Sequence, residues 1–226
     1  MDDLVAFVAA EMEQRADPDK AEQMAAYLKT DMPFYGVQKK ARTAVFREMK
    51  NRFPITTNYE YREAIRALWN QPHREEKYFA IGIAKRYARF VTFANVDLYR
   101  ELIVEGAWWD LVDDVAASCI GIVHLQEREA MEPIIDEWID DDIMWLRRTS
   151  LISPLKHKDQ TNHEMLFDHC LRRAHEKEFF IRKAIGWTLR QYARTEPDRV
   201  AAFLLEHRDR WSGLTFREAS KHLDLS

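Results

Sequence analysis

The two cysteines, Cys119 and Cys170, are too few for a disulfide framework, and neither belongs to a paired metal-ligand motif. Six glycines and seven prolines are too sparse to punctuate an all-β sandwich or barrel, which turns every 8–12 residues or so. The short β-branched runs of a doubly wound α/β fold are missing. No apolar stretch approaches the ~20 residues that span a bilayer, so no membrane contact is expected. The chain opens Met1-Asp2-Asp3 with no basic region before an apolar one, so no secretory signal is expected and the cytoplasm is the default compartment. No phosphate loop, serine nucleophile elbow, HExxH or Cys–His pair is visible, and neither a metal nor a cofactor is expected. A net charge of −4 excludes nucleic-acid binding by overall charge alone.

What is present is helical periodicity. Leu4, Phe7, Val8 and Met12 make one apolar stripe, and Ala64, Ile65, Leu68 and Trp69 another. Pro18, Pro72, Pro133 and Pro197 stand near helix starts, where a missing N–H is harmless. The pattern predicts twelve to fourteen short helices of roughly 10–16 residues in one domain spanning residues 1–226. Trp145–Leu151 (WLRRTSL) aligns with Phe180–Gly186 (FIRKAIG) at an offset of 35, and one further step back from Arg148 reaches Asp113. The expected fold is therefore all-α: a HEAT-like helical-repeat solenoid with a concave face, along which Asp113, Arg148 and Lys183 are equivalent positions.

Charge is segregated. Residues 127–142 hold eight acids and one arginine, whereas residues 145–194 hold eleven Lys/Arg and five Asp/Glu. The basic segment suits a polyanion held on one face. Helix periodicity puts Trp108, Leu111, Val112, Val115 and Cys119 toward the core, and Trp109 and Asp113, one turn apart, on a different stripe. Lys183 and Trp187 repeat that spacing, so Trp109, Asp113, Arg148 and Trp187 would converge in a curved solenoid. Indoles attract cations and stack on flat rings, and a carboxylate stabilises an oxocarbenium ion or orients water. A single Trp or Asp in such a helix more often packs or caps. His157, His163, His169 and His175 recur every six residues and are expected at the surface. Asp140-Asp141-Asp142 suits the N-terminal dipole of the helix it precedes.

The segments WWDLVD (Trp108–Asp113), WLRR (Trp145–Arg148), FIRKAIGWTLRQYA (Phe180–Ala193) and LTFREASKH (Leu214–His222) together resemble the AlkD family of DNA alkylpurine glycosylases. DPDKAEQMAAYLK (Asp17–Lys29) and FYGVQ (Phe34–Gln38) extend the resemblance over nearly the whole chain. It implies HEAT-like repeats around double-stranded DNA containing alkylated bases, and hydrolysis of the N-glycosidic bond of cationic N3- and N7-alkylpurines such as 3-methyladenine and 7-methylguanine. By position, Asp113 resembles the catalytic carboxylate, Trp109 and Trp187 the aromatic walls, and Arg148 the cation beside the lesion. Arg147, Arg182, Lys183, Arg190, Arg194 and Thr215 join Arg148 as DNA-contacting candidates. Gln38 is followed by Lys39-Lys40 where the family usually opens a helix with Thr-Pro, putting two mobile cations in place of a capping side chain. All three are counted as DNA-contacting. With no obvious amine nucleophile, the expected enzyme is monofunctional, and a monomer. The alternative is a helical-repeat module that binds DNA structure or a protein without catalysis. A carboxylate facing a phosphodiester, which costs affinity unless it serves chemistry, favours the enzyme.

Overall fold

A computed structural model describes residues 1–225, which are helical with short connections and, among those residues, no strand. Among the described residues, fourteen α-helical segments divide between two compact units, Met1–Phe90 and Val91–Ser226. No helix of the described residues is long and apolar enough to cross a membrane.

The first unit holds α1 (Asp2–Glu13), α2 (Pro18–Leu28), α3 (Lys39–Arg52), α4 (Asn58–Trp69) and α5 (Arg74–Arg86). The two expected stripes are its core: Leu4, Phe7, Val8 and Met12 of α1, and Ala64, Ile65, Leu68 and Trp69 of α4, are all buried. Start signals are explicit. Asp17 accepts from the Lys20 amide ahead of Pro18 at the first position of α2. Thr57 and Glu60 form a reciprocal capping box on α4. The Tyr61 hydroxyl donates to the Ala84 carbonyl at 2.6 Å, tying α4 to α5. Gly36, at φ +85°, lies so close to the α2 start that a Cβ would run into the Asp17 carbonyl.

The second unit contains α6 (Val96–Gly106), α7 (Trp109–Val115), α8 (Gly121–Gln126), α9 (Arg128–Trp138), α10 (Met144–Ile152), α11 (His163–Arg173), α12 (Phe179–Tyr192), α13 (Pro197–Glu206) and α14 (Gly213–Ala219). A π-turn over Ala116–Ile120 joins α7 to α8 in one continuous rod. Successive helices alternate between two layers. In one, α10 packs between α7 and α12, and α12 against α14. In the other, Asp136 of α9 pairs with Arg172 of α11, and Phe167 of α11 stacks on Phe203 of α13 with centroids 3.9 Å apart. The period of 35 appears as direct contacts: Asp113 meets Arg148, and Lys183 meets Glu218.

Two local expectations are corrected. Pro133 lies inside α9 rather than at its start, so the helix forgoes one backbone hydrogen bond there. His157 and His169 are buried, not superficial. The six-residue spacing failed because His157 sits in the turns after α10, where its Nε2 lies 2.7 Å from the Gly121 carbonyl. Its ring meets that of buried His124 edge-on at 5.0 Å. Burial is the leading cause that depresses all three histidines, His124 to about 3.

That burial sets an acid sensitivity. The unfolded chain takes up protons near the ordinary histidine pKa of about 6.5, whereas the folded chain resists them. Stability is therefore full above that pH and is lost progressively as pH falls toward 3. His124 alone is expected to cost roughly 2 kcal/mol by about pH 5, at 1.36 kcal/mol per unit. Urea midpoints at neutral and mildly acidic pH check this; equal midpoints would show that these rings protonate freely in the fold.

Candidate active site

The site grows from the α6–α7 turn. Ala107, at φ +39°, ends α6 in the left-handed region, and Trp108 follows in an extended conformation at the α7 N-terminus. This reversal turns the Trp108 ring inward against Phe180, with centroids 5.4 Å apart, and Trp145 at 6.2 Å. Trp145 and Phe180 complete the cluster at 5.1 Å. Three aromatic rings thus fasten the starts of α7, α10 and α12 together.

Arg148 lies against this cluster. Its Nε donates to Asp113 Oδ1 and its Nη2 to Oδ2, both at 2.7 Å, a bidentate fork. Its Nη1 donates to the Phe180 carbonyl at 2.5 Å, and its guanidinium carbon stands 5.7 Å from the Phe180 ring centroid. The Arg148 side chain is 4% exposed, against 16% for Asp113. The carboxylate is thus locked at one side and keeps a narrow open edge. Burial pushes the Asp113 carboxyl up, and Asp110 and Asp114 push in the same direction; the Arg148 hydrogen bonds and charge oppose them.

Trp109, one helical turn before Asp113, is half-buried. Trp187 on α12 is half-buried too and packs against the core of this unit. An ionised carboxylate with one accessible edge, fixed by a buried cation, is a place where a developing positive charge gains stabilisation.

A family model described as DNA alkylation repair enzyme matches residues 8–223. The chain belongs to the DNA alkylation repair enzyme family. Among solved structures, a predicted DNA alkylation repair enzyme from Enterococcus faecalis is similar at 28% identity and a TM-score of 0.85, covering 93% of this chain and 98% of that one. AlkD2 from Streptococcus mutans shares the fold at 15% identity and a TM-score of 0.62, covering 90% and 99%. So does smu.31 from Streptococcus mutans UA159, at 14% identity, a TM-score of 0.59 and coverage of 82% and 99%. No curated protein matches in sequence.

The cations of this repair enzyme are placed very differently from one another. Arg148, expected beside the lesion as a DNA contact, is buried and paired with Asp113. Arg147 is spent on Glu176, at 3.0 and 3.2 Å, and on the carbonyls of Asp141 and Asp142. Thr215 is buried: its hydroxyl lies 2.8 Å from Ser212 Oγ and donates to the Arg182 carbonyl at 3.2 Å, fastening α14 to α12. Arg182 is half-buried, with its Nε buried and unpaired. Lys183 and Arg190 stay partly exposed, each on Glu218. Arg194 is exposed. In the other unit Gln38, Lys39 and Lys40 are exposed at the α3 N-terminus, whose first turn takes no hydrogen bond from the Gln38 side chain.

Asp140 binds Arg172 and Arg173 of the facing helix, while Asp141 accepts from the Ile143 amide at 2.7 Å. Asp136, Asp168 and His169 bring possible metal donors within 4.8 Å of one another. Arg172 already donates to both carboxylates, at 2.5 and 3.3 Å, and supplies the positive charge there. Reading the sequence missed Glu176 and Glu218, which return from neighbouring repeats. The 35-residue step from Lys183 to Glu218 was the available signal.

Proposed function

We propose that this family member is a monofunctional glycosylase that releases cationic N3- and N7-alkylpurines from duplex DNA. The observation that carries the reading is the Asp113 carboxylate, ion-paired on its buried side and open on the other. Alkylation at N3 or N7 gives the purine a positive charge, so the C1′–N9 bond breaks with its electron pair passing to a neutral leaving base. The positive charge moves to the sugar, where Asp113 stabilises the oxocarbenium ion. Water then bonds to C1′ and loses a proton, through Asp113 or to solvent. No general acid is needed for such a leaving group.

Trp109 and Trp187 serve as aromatic surfaces for the sugar and the cationic base. The exposed edge of α12 and the α3 start hold backbone phosphates. Arg148 acts through Asp113, keeping the carboxylate ionised and aimed. We place the enzyme in the cytoplasm as a monomer on double-stranded DNA.

The test is chromatography of free bases released from methylated duplex DNA by the full chain. Release of 7-methylguanine and 3-methyladenine is expected, with the sugar–phosphate backbone left intact. Tight duplex binding with no base released would instead establish the non-catalytic module.

A further inference from the structure

Glu218 at the end of α14 carries one negative charge and meets three positive ones. Its Oε1 lies 2.9 Å from both Lys183 Nζ and Lys221 Nζ, and its Oε2 lies 2.5 Å from Arg190 Nη1. One carboxylate would neutralise one of these cations, so charge balance within the fold does not explain the grouping. The Glu218 side chain is only 9% exposed, whereas Lys183, Arg190 and Lys221 are 36%, 21% and 49% exposed. Each cation uses one N–H on Glu218 and has others left to turn outward. Burial alone would raise the Glu218 carboxyl; hydrogen bonds and charge from its three partners outweigh that and hold it at about 2.

The backbone is built for this close contact. Gly186 faces Glu218, and a Cβ there would stand 2.5 Å from Glu218 Cβ and 3.0 Å from the Thr215 carbonyl. Lys183, Trp187 and Arg190 follow the i, i+4, i+7 spacing of one helix face, so Glu218 grips that face on both sides of the indole. Free lysine and arginine side chains lose rotamer freedom on meeting a phosphate; side chains already held lose less.

We propose that Glu218 is a positioning residue that sets Lys183, Arg190 and Lys221 as a single phosphate-binding comb beside Trp187. This rests on the glycosylase reading above, and its ligand is the phosphodiester backbone flanking the lesion. The sign of one substitution decides it. Glu218→Gln makes the face more positive by one charge, which by Coulomb attraction alone tightens binding to DNA. If Glu218 instead orders the comb, binding weakens despite the added charge.

The experiment measures affinity of the full-length chain for an undamaged duplex over a salt series, and base release from methylated duplex, for wild type and Glu218→Gln. The expected result is about three- to tenfold weaker binding, with the slope of log K against log salt smaller by about 1–2, at 0.9 per lost phosphate contact. Base release at limiting enzyme is expected to fall in step with affinity, because the comb holds the backbone beside the lesion. Tighter or unchanged binding overturns the proposal. Should the variant melt below the assay temperature, the Lys183→Arg, Arg190→Lys exchange keeps the total charge and alters only geometry. Weaker binding then supports the comb, and equal binding overturns it. The two readings fail separately: wild type that binds duplex but releases no base ends the glycosylase assignment and leaves the comb to be judged on affinity. Wild type that binds no duplex ends both.

Discussion

Asp113→Asn is expected to lower release of 7-methylguanine by about 100-fold or more, the scale of losing a main electrostatic stabiliser. The ion pair with Arg148 adds a second effect. Asparagine keeps one acceptor for the guanidinium and loses the charge, leaving a buried cation half-paired. Breaking a buried pair in this way costs about 3–5 kcal/mol of stability. A loss of activity alone therefore does not separate chemistry from folding. The pair of variants that does is Asp113→Leu with Arg148→Met: two apolar side chains replace both charges, and stability is expected to return to within about 1–2 kcal/mol of wild type. Excision is expected to stay lost. Recovered activity in that double variant would remove Asp113 from the chemistry.

Arg148→Met alone makes the complementary case. Burial already pushes Asp113 toward its neutral form, and Arg148 is the counterweight. Without it the carboxyl pKa rises, so a smaller fraction is ionised at neutral pH. The variant's excision rate is expected to climb with pH over a range where wild type is flat. A rate depressed equally at every pH would show that Arg148 shapes the site without tuning the carboxylate.

The all-α fold was legible because helix stripes depend on local spacing alone, as in α1 and α4. The repeat was legible at Asp113 and Arg148 because a 35-residue step places side chains on stacked neighbours. What the steps could not show was direction. Arg148 reads as one more cation in a basic segment, yet the carbonyl of Phe180 and the rings of Trp108 and Trp145 turn its surroundings into an interior. The basic segment itself looked open because its carboxylate partners lie elsewhere in the chain: Asp136, Asp140 and Glu218 each come back from about 35 residues away. Charge counted along the sequence overstates charge available to DNA wherever stacked helices pair their polar edges.

Glu75→Gln is expected to destabilise the first unit strongly. The Glu75 carboxylate is buried, and three consecutive backbone amides close on it: Tyr35 at 3.1 Å on Oε2, and Gly36 at 2.9 Å and Val37 at 3.0 Å on Oε1. Both oxygens must accept. Glutamine offers one acceptor and turns an NH2 toward an N–H, leaving buried donors facing each other. Charge-assisted bonds to backbone amides are the stronger kind, and the substitution is expected to cost about 3 kcal/mol or more. Glu76→Gln is a matched control on the next residue. Its carboxylate accepts from the Tyr35 hydroxyl at 3.0 Å and the His73 amide at 2.9 Å, and a hydroxyl can reverse its role and accept from an amide, so about 1 kcal/mol is expected. Urea midpoints give the two costs, and hydrogen exchange locates them: the amides of Tyr35, Gly36 and Val37 should lose protection in Glu75→Gln and keep it in Glu76→Gln. The loop runs straight into Gln38, Lys39 and Lys40, so duplex affinity should fall while release at saturating enzyme does not. Unchanged protection at the three amides would mean that packing around Gly36, not the carboxylate, holds the loop.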